Sequence, residues 1–207
     1  MMREEMLRMK RSRTHSKADA LDWDEAMELI ENLKNDGFYR DAMLIACGCF
    51  LGLRISDILL LQWQDVMTGG VLVMREKKTR KMRKMKINEQ LKKLAQECYK
   101  GLGSPGEFEY IFQTVKSMGE PMTRQRAGQI LREAQKRYNI KSAEVFSTHS
   151  LRKTFGRRVW LQECEKGKGD QALLLLCDIF GHSSISITKR YLGIRQDELL
   201  SVYDALV

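Results

Sequence analysis

The chain has 207 residues and a formal net charge of +9, with 43% apolar and 30% charged residues. This balance is typical of one soluble globular domain and excludes a disordered chain. The longest apolar stretches, 42–53 and 172–177, are too short to span a membrane, and the basic N-terminus lacks the apolar core of a secretion signal. The excess of Lys and Arg favours a polyanionic partner, although a merely basic surface is an equal explanation.

The five cysteines indicate a reducing compartment, the cytoplasm. Cys47 and Cys49 form a C-x-C inside an apolar run, where buried free thiols are a better interpretation than a metal site. Cys98, Cys164 and Cys177 add no zinc-ligand spacing. The sequence shows neither an Asp/Glu cluster for paired metal ions nor a P-loop glycine pattern, so we expect no metal and no cofactor.

A basic arm, residues 1–18, precedes the first predicted helix. Asp22 or Asp24 is the candidate N-cap of this helix, and the turn sequence ending at Gly37 stops it. The second predicted helix, about Tyr39 to Leu51, is nearly all apolar and should therefore be buried.

Arg54 lies just after Gly52 breaks the second helix, on the turn into a third helix through Ile58, Leu59 and Leu61. Core residues on both sides would hold its side chain on a rigid element, as a catalytic group requires. The sequence therefore predicts a fixed cation at the junction of two core helices.

One region is predicted to form strands: residues 71–74 and 85–87 should pair as a short antiparallel ribbon whose turn is rich in Lys and Arg. After Glu89 the chain is predicted to be largely helical, with a loop at 101–106. The predicted helices are 89–99, 123–138, 150–163, 171–180, 185–191 and 197–206. The predicted fold class is mainly α with a small antiparallel β-sheet (α+β), in one domain over residues 19–207.

Five polar side chains stand in separate motifs: Arg54 in GLRISD, His149 and Arg152 in THSLRKTFG, His182 in GHSS, and Tyr191 in KRYLG. Two guanidiniums, two imidazoles and a phenol are the groups required to break a phosphodiester with a protein nucleophile. His149 and Arg152 are three residues apart, so on a helix both project from one face and can meet one phosphate. Arg54 would add a second planar donor fork to the non-bridging oxygens.

Tyr191 is the candidate nucleophile. A phenol has a pKa of about 10, so it needs a base or positive surroundings to attack at neutral pH, and His149 is the candidate base. A lysine of the predicted turn could protonate the leaving 5′ oxygen. Each residue alone has a plainer explanation: Arg54 as a helix-end cation, His149 as an N-cap, GHSS as an interhelical turn, and Tyr191 as an ordinary core or surface residue. Their joint order favours the catalytic interpretation.

The ordered set GLRISD, KKT, HSLRKTFG and FGHSSISITKRY resembles the tyrosine recombinases, or phage integrase family, over about residues 22–207. The resemblance implies that Arg54 and Arg152 clamp the scissile phosphate. It further implies that His149 assists proton transfer and that His182 hydrogen-bonds the phosphate. Tyr191 would form a 3′-phosphotyrosyl link and free a 5′ hydroxyl, so that a second strand can reseal the break without ATP.

The family's catalytic lysine lies on a turn between two strands and acts as the general acid. Lys78, in the K-T pattern, resembles it best, ahead of Lys77, Lys81 and Lys84. Asp57 in RISD matches a position that is usually acidic in the family. We expect Asp57 to be a structural anchor near the site or, equally well, a negative charge that the helix dipole favours at a helix start.

Double-stranded DNA is the partner that the resemblance implies. The helix predicted near Thr123 resembles the family element that meets the DNA groove, although a solvated face is an equal explanation. The residues expected to contact DNA are Lys77, Arg80, Lys81, Arg124, Gln125, Arg126 and Gln129. The final predicted helix, 197–206, would dock on a neighbouring protomer in a tetramer on DNA, or on its own domain, and an accessory DNA-bending protein would be compatible with this assembly.

Most family members carry a separate N-terminal domain that clamps DNA, whereas only the basic arm precedes the predicted domain here. The chain is then an excised catalytic fragment or a short member like the compact DNA invertases, and its DNA binding should be weaker and more salt-sensitive. We expect a site-specific recombinase whose outcome, integration, inversion or excision, the sequence does not specify. The alternatives are a DNA-binding regulator without catalysis and a type IB topoisomerase.

Overall fold

Helices dominate the residues that the computed structural model describes, 18–114 and 119–194. These are α1 Trp23–Asn35, α2 Tyr39–Leu51, α3 Ile55–Ile58, α4 Trp63–Met67, α5 Glu89–Gly101, α6 Arg124–Arg137, α7 Thr148–Cys164, α8 Gly169–Phe180 and α9 Ile185–Leu192. Strands β1 Gly70–Arg75 and β2 Met82–Ile87 pair antiparallel. The predicted α+β class is confirmed, whereas residues 1–17 of the arm and the predicted helix 197–206 lie outside the described residues.

Helix α2 forms the centre of the main core because its sequence is apolar on nearly every side. It packs against α1, α5 and α7. Gly48 permits the close approach of α7, since a Cβ at this position would lie 2.5 Å from the Cβ of Leu151. The thiols of Cys47 and Cys49 are free and buried, as predicted, and burial raises the pKa of Cys49 to about 12.

The third helix is shorter than predicted, and a further helix follows it. Helix α3 ends at Ile58, and Leu61 lies in a turn rather than in the helix. Gln62 and Asp65 then form a reciprocal capping box that starts α4 at Trp63. The first two N–H groups of α4, those of Trp63 and Gln64, donate to the carbonyls of Glu109 and Glu107 in a distant segment, and apolar periodicity does not predict such contacts.

Helix α7 begins two residues earlier than predicted. Ser147 is its N-cap and forms a capping box with Ser150. His149 therefore lies in the first turn of α7 and is not the cap, which leaves its imidazole free of a capping role.

The β1–β2 hairpin carries a short turn, residues 76–81, which we name the basic turn. The backbone N–H of Glu76 donates to the Lys81 carbonyl (3.0 Å), and the N–H of Arg80 donates to the Glu76 carbonyl (2.9 Å), so these bonds close the turn. Lys84, which the sequence predicts in the turn, lies instead within β2 and pairs with Val73 of β1. Lys77, Lys78 and Lys81 are exposed on the turn itself.

A second, smaller core holds α8 and α9 against α7. Its buried members are Leu173, Leu176, Phe180, Leu192 and Ile194. Gly156 of α7 permits this contact, because a Cβ there would lie 2.6 Å from Leu192 and 2.8 Å from the Phe180 ring. Gly181 ends α8 with a φ of +65°, and Ser184 caps α9 by accepting from the N–H of Ile187, as the GHSS motif predicts.

Within the described ranges no single helix is long and apolar enough to cross a membrane; α8 and α9 meet that test only as a pair, which is bent by 92° at the break.

Candidate active site

One cleft of about 640 Å³ brings together every residue that the sequence predicts to be catalytic. Its lining includes Arg54, Lys78, His149, Arg152, His182 and Tyr191. These side chains come from the N-cap of α3, the basic turn, the first turns of α7, the α8–α9 junction and α9. A site assembled from positions so far apart in sequence depends on the packing of both cores.

The residues predicted to contact DNA divide into two groups. Lys77 and Arg124 line the cleft. The structure does not bring the others into the cleft lining, although all are exposed: Arg80, Lys81, Gln125, Arg126 and Gln129. Arg126 instead forms a surface ion pair with Glu133 (3.2 Å).

Arg152 is the most deeply fixed cation of the site. Its Nη1 donates to the Gly52 carbonyl (2.6 Å) and its Nη2 to the Phe180 carbonyl (3.2 Å), so it joins the end of α2 to the end of α8. Its guanidinium carbon lies 4.4 Å from the centroid of the Phe180 ring. Burial, and the nearby positive charge of Arg54, lower the pKa of Arg152 to about 10, so the side chain stays charged at neutral pH.

Arg54 shares an acceptor with Arg152. Its Nη2 donates to the same Phe180 carbonyl (3.1 Å), while its Nη1 donates to Glu76 Oε2 (2.8 Å). The last carbonyls of a helix carry partial negative charge, so the end of α8 attracts both guanidiniums. Two cations are thereby held side by side with donors still available to an anion.

Two buried carboxylates, Asp57 and Glu76, position the basic turn. Asp57 is fully buried, and its Oδ1 accepts from the backbone N–H of Lys77 (2.8 Å), so it anchors the start of the basic turn. Glu76 accepts from Arg54, Arg83 and Thr79. Burial opposes ionisation of Glu76, but these donors, Thr79 and Arg54 foremost, lower its pKa overall. Sequence reasoning missed Glu76, although it is the one acid in the basic stretch 75–86.

The nucleophile candidate sits in an aromatic cluster. The rings of Phe180, His182 and Tyr191 lie 5.2 to 5.5 Å apart, centroid to centroid. His182 is oriented by Thr188, whose Oγ1 lies 2.9 Å from Nδ1. The buried hydroxyl of Tyr191 has no hydrogen-bond partner among the described residues. Burial raises the pKa of Tyr191, and the charges of Arg152 and Arg54 partly offset this rise.

Both imidazoles of the cleft are biased towards the neutral form. Partial burial and the charges of Arg152, Lys153 and Lys78 lower the pKa of His149. Partial burial and the two cleft arginines likewise lower the pKa of His182. A neutral imidazole can accept a proton, so the electrostatics fit His149 as the base that takes the phenol proton.

The described part of the chain contains no cluster of three or more His, Cys, Asp or Glu side chains able to hold a metal ion. The cleft combines fixed cations, two imidazoles whose pKa values are lowered and the buried phenol of Tyr191. This arrangement can bind a phosphate diester and attack it with the phenol oxygen.

Comparisons with known proteins identify similar sequences and folds. The model of the phage integrase family matches residues 19–198. The "Probable integrase/recombinase YoeC" of Bacillus subtilis (strain 168) is 40% identical over 164 residues, which are 79% of this chain and 83% of that protein. The "Tyrosine recombinase XerC" of Pelobacter propionicus is 26% identical over 186 residues, which are 89% of this chain and 58% of that protein.

Among solved structures, the XerH site-specific recombinase bound to palindromic difH substrate, a post-cleavage complex, superposes with a TM-score of 0.64 at 18% identity. The match covers 91% of this chain and 54% of the XerH chain, and at this identity it establishes a common fold. The chain thus spans little more than half the length of XerC and XerH.

Proposed function

The chain belongs to the phage integrase family and is a tyrosine-type site-specific recombinase, and we propose that it cleaves and rejoins duplex DNA through a 3′-phosphotyrosyl intermediate on Tyr191. One observation carries the proposal: the phenol of Tyr191 lines the same cleft as two guanidiniums that share the Phe180 carbonyl. Duplex DNA as the partner is supported by the net charge of +9 and by the bound substrate of XerH.

Phosphate binding comes first in the proposed mechanism. Arg54 and Arg152 donate to the non-bridging oxygens of the scissile phosphate. Negative charge on these oxygens grows in the pentacoordinate transition state, so preformed donors favour that state over the ground state. In comparable sites each such donor contributes about 2.7–4 kcal/mol. His182, held by Thr188, adds a further hydrogen bond to the phosphate.

Proton transfer then accompanies attack. The oxygen of Tyr191 forms a bond to phosphorus while the bond to the 5′ oxygen breaks, and neutral His149 takes the phenol proton. Lys78 of the basic turn gives a proton to the departing 5′ oxygen. The raised pKa of Tyr191 keeps the phenol neutral until a phosphate is bound. Rejoining reverses these steps, with a 5′ hydroxyl of the same or another strand attacking the phosphotyrosine.

Assembly and outcome are parts of the proposal that the described residues do not reach. A tetramer on paired DNA sites, docking through the helix predicted at 197–206, and an accessory DNA-bending protein remain predictions. The same holds for the division into an arm, 1–18, and a domain, 19–207, and for the cytoplasmic location. Integration, inversion and excision share the cleavage step and are equally compatible with this cleft.

Covalent capture of DNA tests the proposal. Duplexes from the native flanks of the gene, each with a nick near the scissile phosphate, should trap a protein–DNA adduct that survives a denaturing gel. The adduct should be lost in Tyr191→Phe, while that variant still shifts DNA on a native gel. Shifted bands without any adduct would favour a regulator that binds DNA without catalysis. Relaxation of supercoils without strand exchange would favour a topoisomerase.

A further inference from the structure

Glu76 connects the basic turn to the phosphate-binding arginine, and we propose that it is a positioning residue that keeps Lys78 within reach of the leaving 5′ oxygen. The inference rests on the proposed cleavage function of the cleft. Glu76 does not line the cleft itself, so it would act through Arg54 and the turn rather than on the substrate.

Both carboxylate oxygens of Glu76 are engaged. Oε2 accepts from Nη1 of Arg54 (2.8 Å) and from Oγ1 of Thr79 (2.6 Å), and Oε1 accepts from Nη1 of Arg83 (3.2 Å). The residue is only 6% exposed. One buried carboxylate thus links the start of α3, the middle of the basic turn and strand β2. Nη2 of Arg83 extends the link to the Leu51 carbonyl at the end of α2 (3.0 Å).

The basic turn has a physical need for this link. Its residues and the adjoining strand ends carry many cations, and Lys77 and Lys78 lie on the same cleft as Arg54 and Arg124. Like charges at this separation repel, which favours a turn that swings out into solvent. Glu76 supplies the opposing negative charge and, through Thr79, a hydrogen bond directly next to Lys78.

Glu76 also leaves Arg54 able to bind the scissile phosphate, its proposed role. A guanidinium has five N–H donors in a planar fork. Arg54 uses one on Glu76 and one on the Phe180 carbonyl. The remaining N–H donors can bind phosphate oxygens, so Glu76 orients Arg54 without occupying the donors that the substrate needs.

Glu76→Gln is the informative change because it keeps the shape and removes the charge. A glutamine has one acceptor oxygen, and its NH₂ group would face a donor, either Arg83 or the Arg54–Thr79 pair. We expect single-turnover adduct formation to fall about 10- to 100-fold, the effect of a small misplacement of a catalytic group. DNA affinity should stay equal or rise, because a negative charge next to the phosphate site is lost.

The measurement compares adduct formation on nicked flank duplexes with fluorescence anisotropy of the same duplexes, labelled with fluorescein, at fixed salt. Glu163→Gln is the matched control, since it removes a partly exposed carboxylate paired with Lys166 and should change neither quantity. Thr79→Val removes only the turn hydroxyl and should slow cleavage in the same direction by a smaller factor. A parallel fall of affinity, cleavage and Tm in Glu76→Gln would indicate a merely structural role and would overturn the inference.

A modified leaving group shows whether Glu76 acts through the lysine. Once the scissile phosphate is mapped, its 5′ bridging oxygen is replaced by sulfur, which departs as a thiolate and needs no general acid because thiols are far more acidic than alcohols. On the sulfur-substituted duplex, the cleavage rates of Lys78→Ala and Glu76→Gln should rise at least about tenfold, towards the wild-type rate. The cleavage rate of Arg54→Lys should stay low. Failure to restore Glu76→Gln, or to restore Lys78→Ala, would overturn the inference.

The two proposals can fail separately. Absence of an adduct with wild-type protein on every duplex would overturn the proposed function and this inference with it. A wild-type adduct that forms equally fast in Glu76→Gln would overturn this inference and leave the proposed function standing.

Discussion

The two halves of the cleft are held by different forces. Arg54 and Arg152 are fixed by hydrogen bonds, to the carbonyls of Gly52 and Phe180 and to the Glu76 carboxylate, with Arg152 only 5% exposed. Tyr191 is held by ring packing on the smaller core, and its hydroxyl has no hydrogen-bond partner among the described residues. Fixed donors stabilise a developing charge best when they need no reorganisation, whereas a nucleophile has to give up a proton and form a new bond. The difference therefore matches the two tasks.

The largest effect should follow from breaking the phosphate-binding half with Arg152→Ala. We expect the single-turnover cleavage rate to fall about 100- to 1000-fold, because a donor to the transition state is lost. The buried Gly52 carbonyl also loses the donor Nη1 of Arg152, while the Phe180 carbonyl keeps Arg54 as a donor, so the free energy of unfolding should drop by about 1–3 kcal/mol. Arg132→Ala, an exposed arginine of α6, is the control and should leave both quantities unchanged. Cleavage within tenfold of wild type would refute the assigned role of Arg152.

Gly156→Ala should disturb the Tyr191 half of the cleft by disrupting the packing of α9 on α7. The new Cβ would lie 2.6 Å from Leu192 and 2.8 Å from the Phe180 ring, so α9 has to shift away from α7. We expect a loss of about 1–3 kcal/mol in the free energy of unfolding and slower adduct formation with DNA affinity retained.

Gly128→Ala on α6 is the matched control for this change. Its Cβ would meet only Nη1 of Arg132, at 3.6 Å. Alanine favours a helix interior over glycine, so this variant should gain about 0.5–1 kcal/mol. Chemical denaturation and the suicide-substrate assay measure both variants. An unchanged cleavage rate in Gly156→Ala would show that the packing of α9 on α7 does not control the reactivity of Tyr191.

The pH profile of cleavage should test the proposed base, because His149 is an imidazole with a lowered pKa. A protonated His149 cannot accept the phenol proton, so the cleavage rate should fall about tenfold per pH unit below that pKa. His149→Asn should lower the rate and flatten this acid limb. If the limb persists there and disappears in His182→Asn, the titrating group is His182 instead.

The free energy of unfolding should also depend on pH through the protonation of His149 and His182. Their folded pKa values lie below the unfolded value of about 6.5, so the unfolded chain binds more protons as the solution becomes acidic. Their contribution is fully present above about pH 6.5 and is lost as the pH falls through the folded pKa values. Tm measured from pH 7.5 to 5 should therefore decrease, and by less in the double variant His149→Asn/His182→Asn.

The smallest effect should come from Thr188→Val. This change removes the hydroxyl 2.9 Å from Nδ1 of His182 while preserving the shape of a fully buried side chain. The imidazole loses its orienting partner, so we expect cleavage to slow by a factor of about 5–10, which corresponds to a hydrogen bond of about 1 kcal/mol. Thr188→Ser retains the hydroxyl and should restore the rate. Equal rates in the valine and serine variants would refute the orienting role.

Much of the site was predictable from local signals. The three-residue spacing of His149 and Arg152 requires only that α7 is a helix, and the helix-breaking Gly52 places Arg54 at a helix start. The GHSS motif predicts the turn between α8 and α9 in the same way. These residues share a cleft because the helices around them are amphipathic or apolar in patterns that the sequence displays.

Other features were beyond sequence reasoning because they depend on contacts between distant segments. Glu76 is one acid among many bases in the sequence, and only the fold shows it buried between Arg54 and Arg83. The residues of α6 that are expected to contact DNA also differ in their surroundings. Arg124 lines the cleft, whereas Arg126 pairs with Glu133. Side-chain direction on an exposed helix face is not set by periodicity alone.

By itself, the sequence determined the helical class, the hairpin and the local placement of the proposed catalytic groups, since propensity, capping and apolar spacing act within a few residues of each position. Tertiary structure alone decided that two arginines from distant segments share the Phe180 carbonyl, that Glu76 is ionised while buried beside Arg54 and Arg83, and that the Tyr191 hydroxyl is buried beside the cleft arginines. Burial and electrostatic interaction depend on which segments meet across the core, and that is a property of the packed chain rather than of any local stretch.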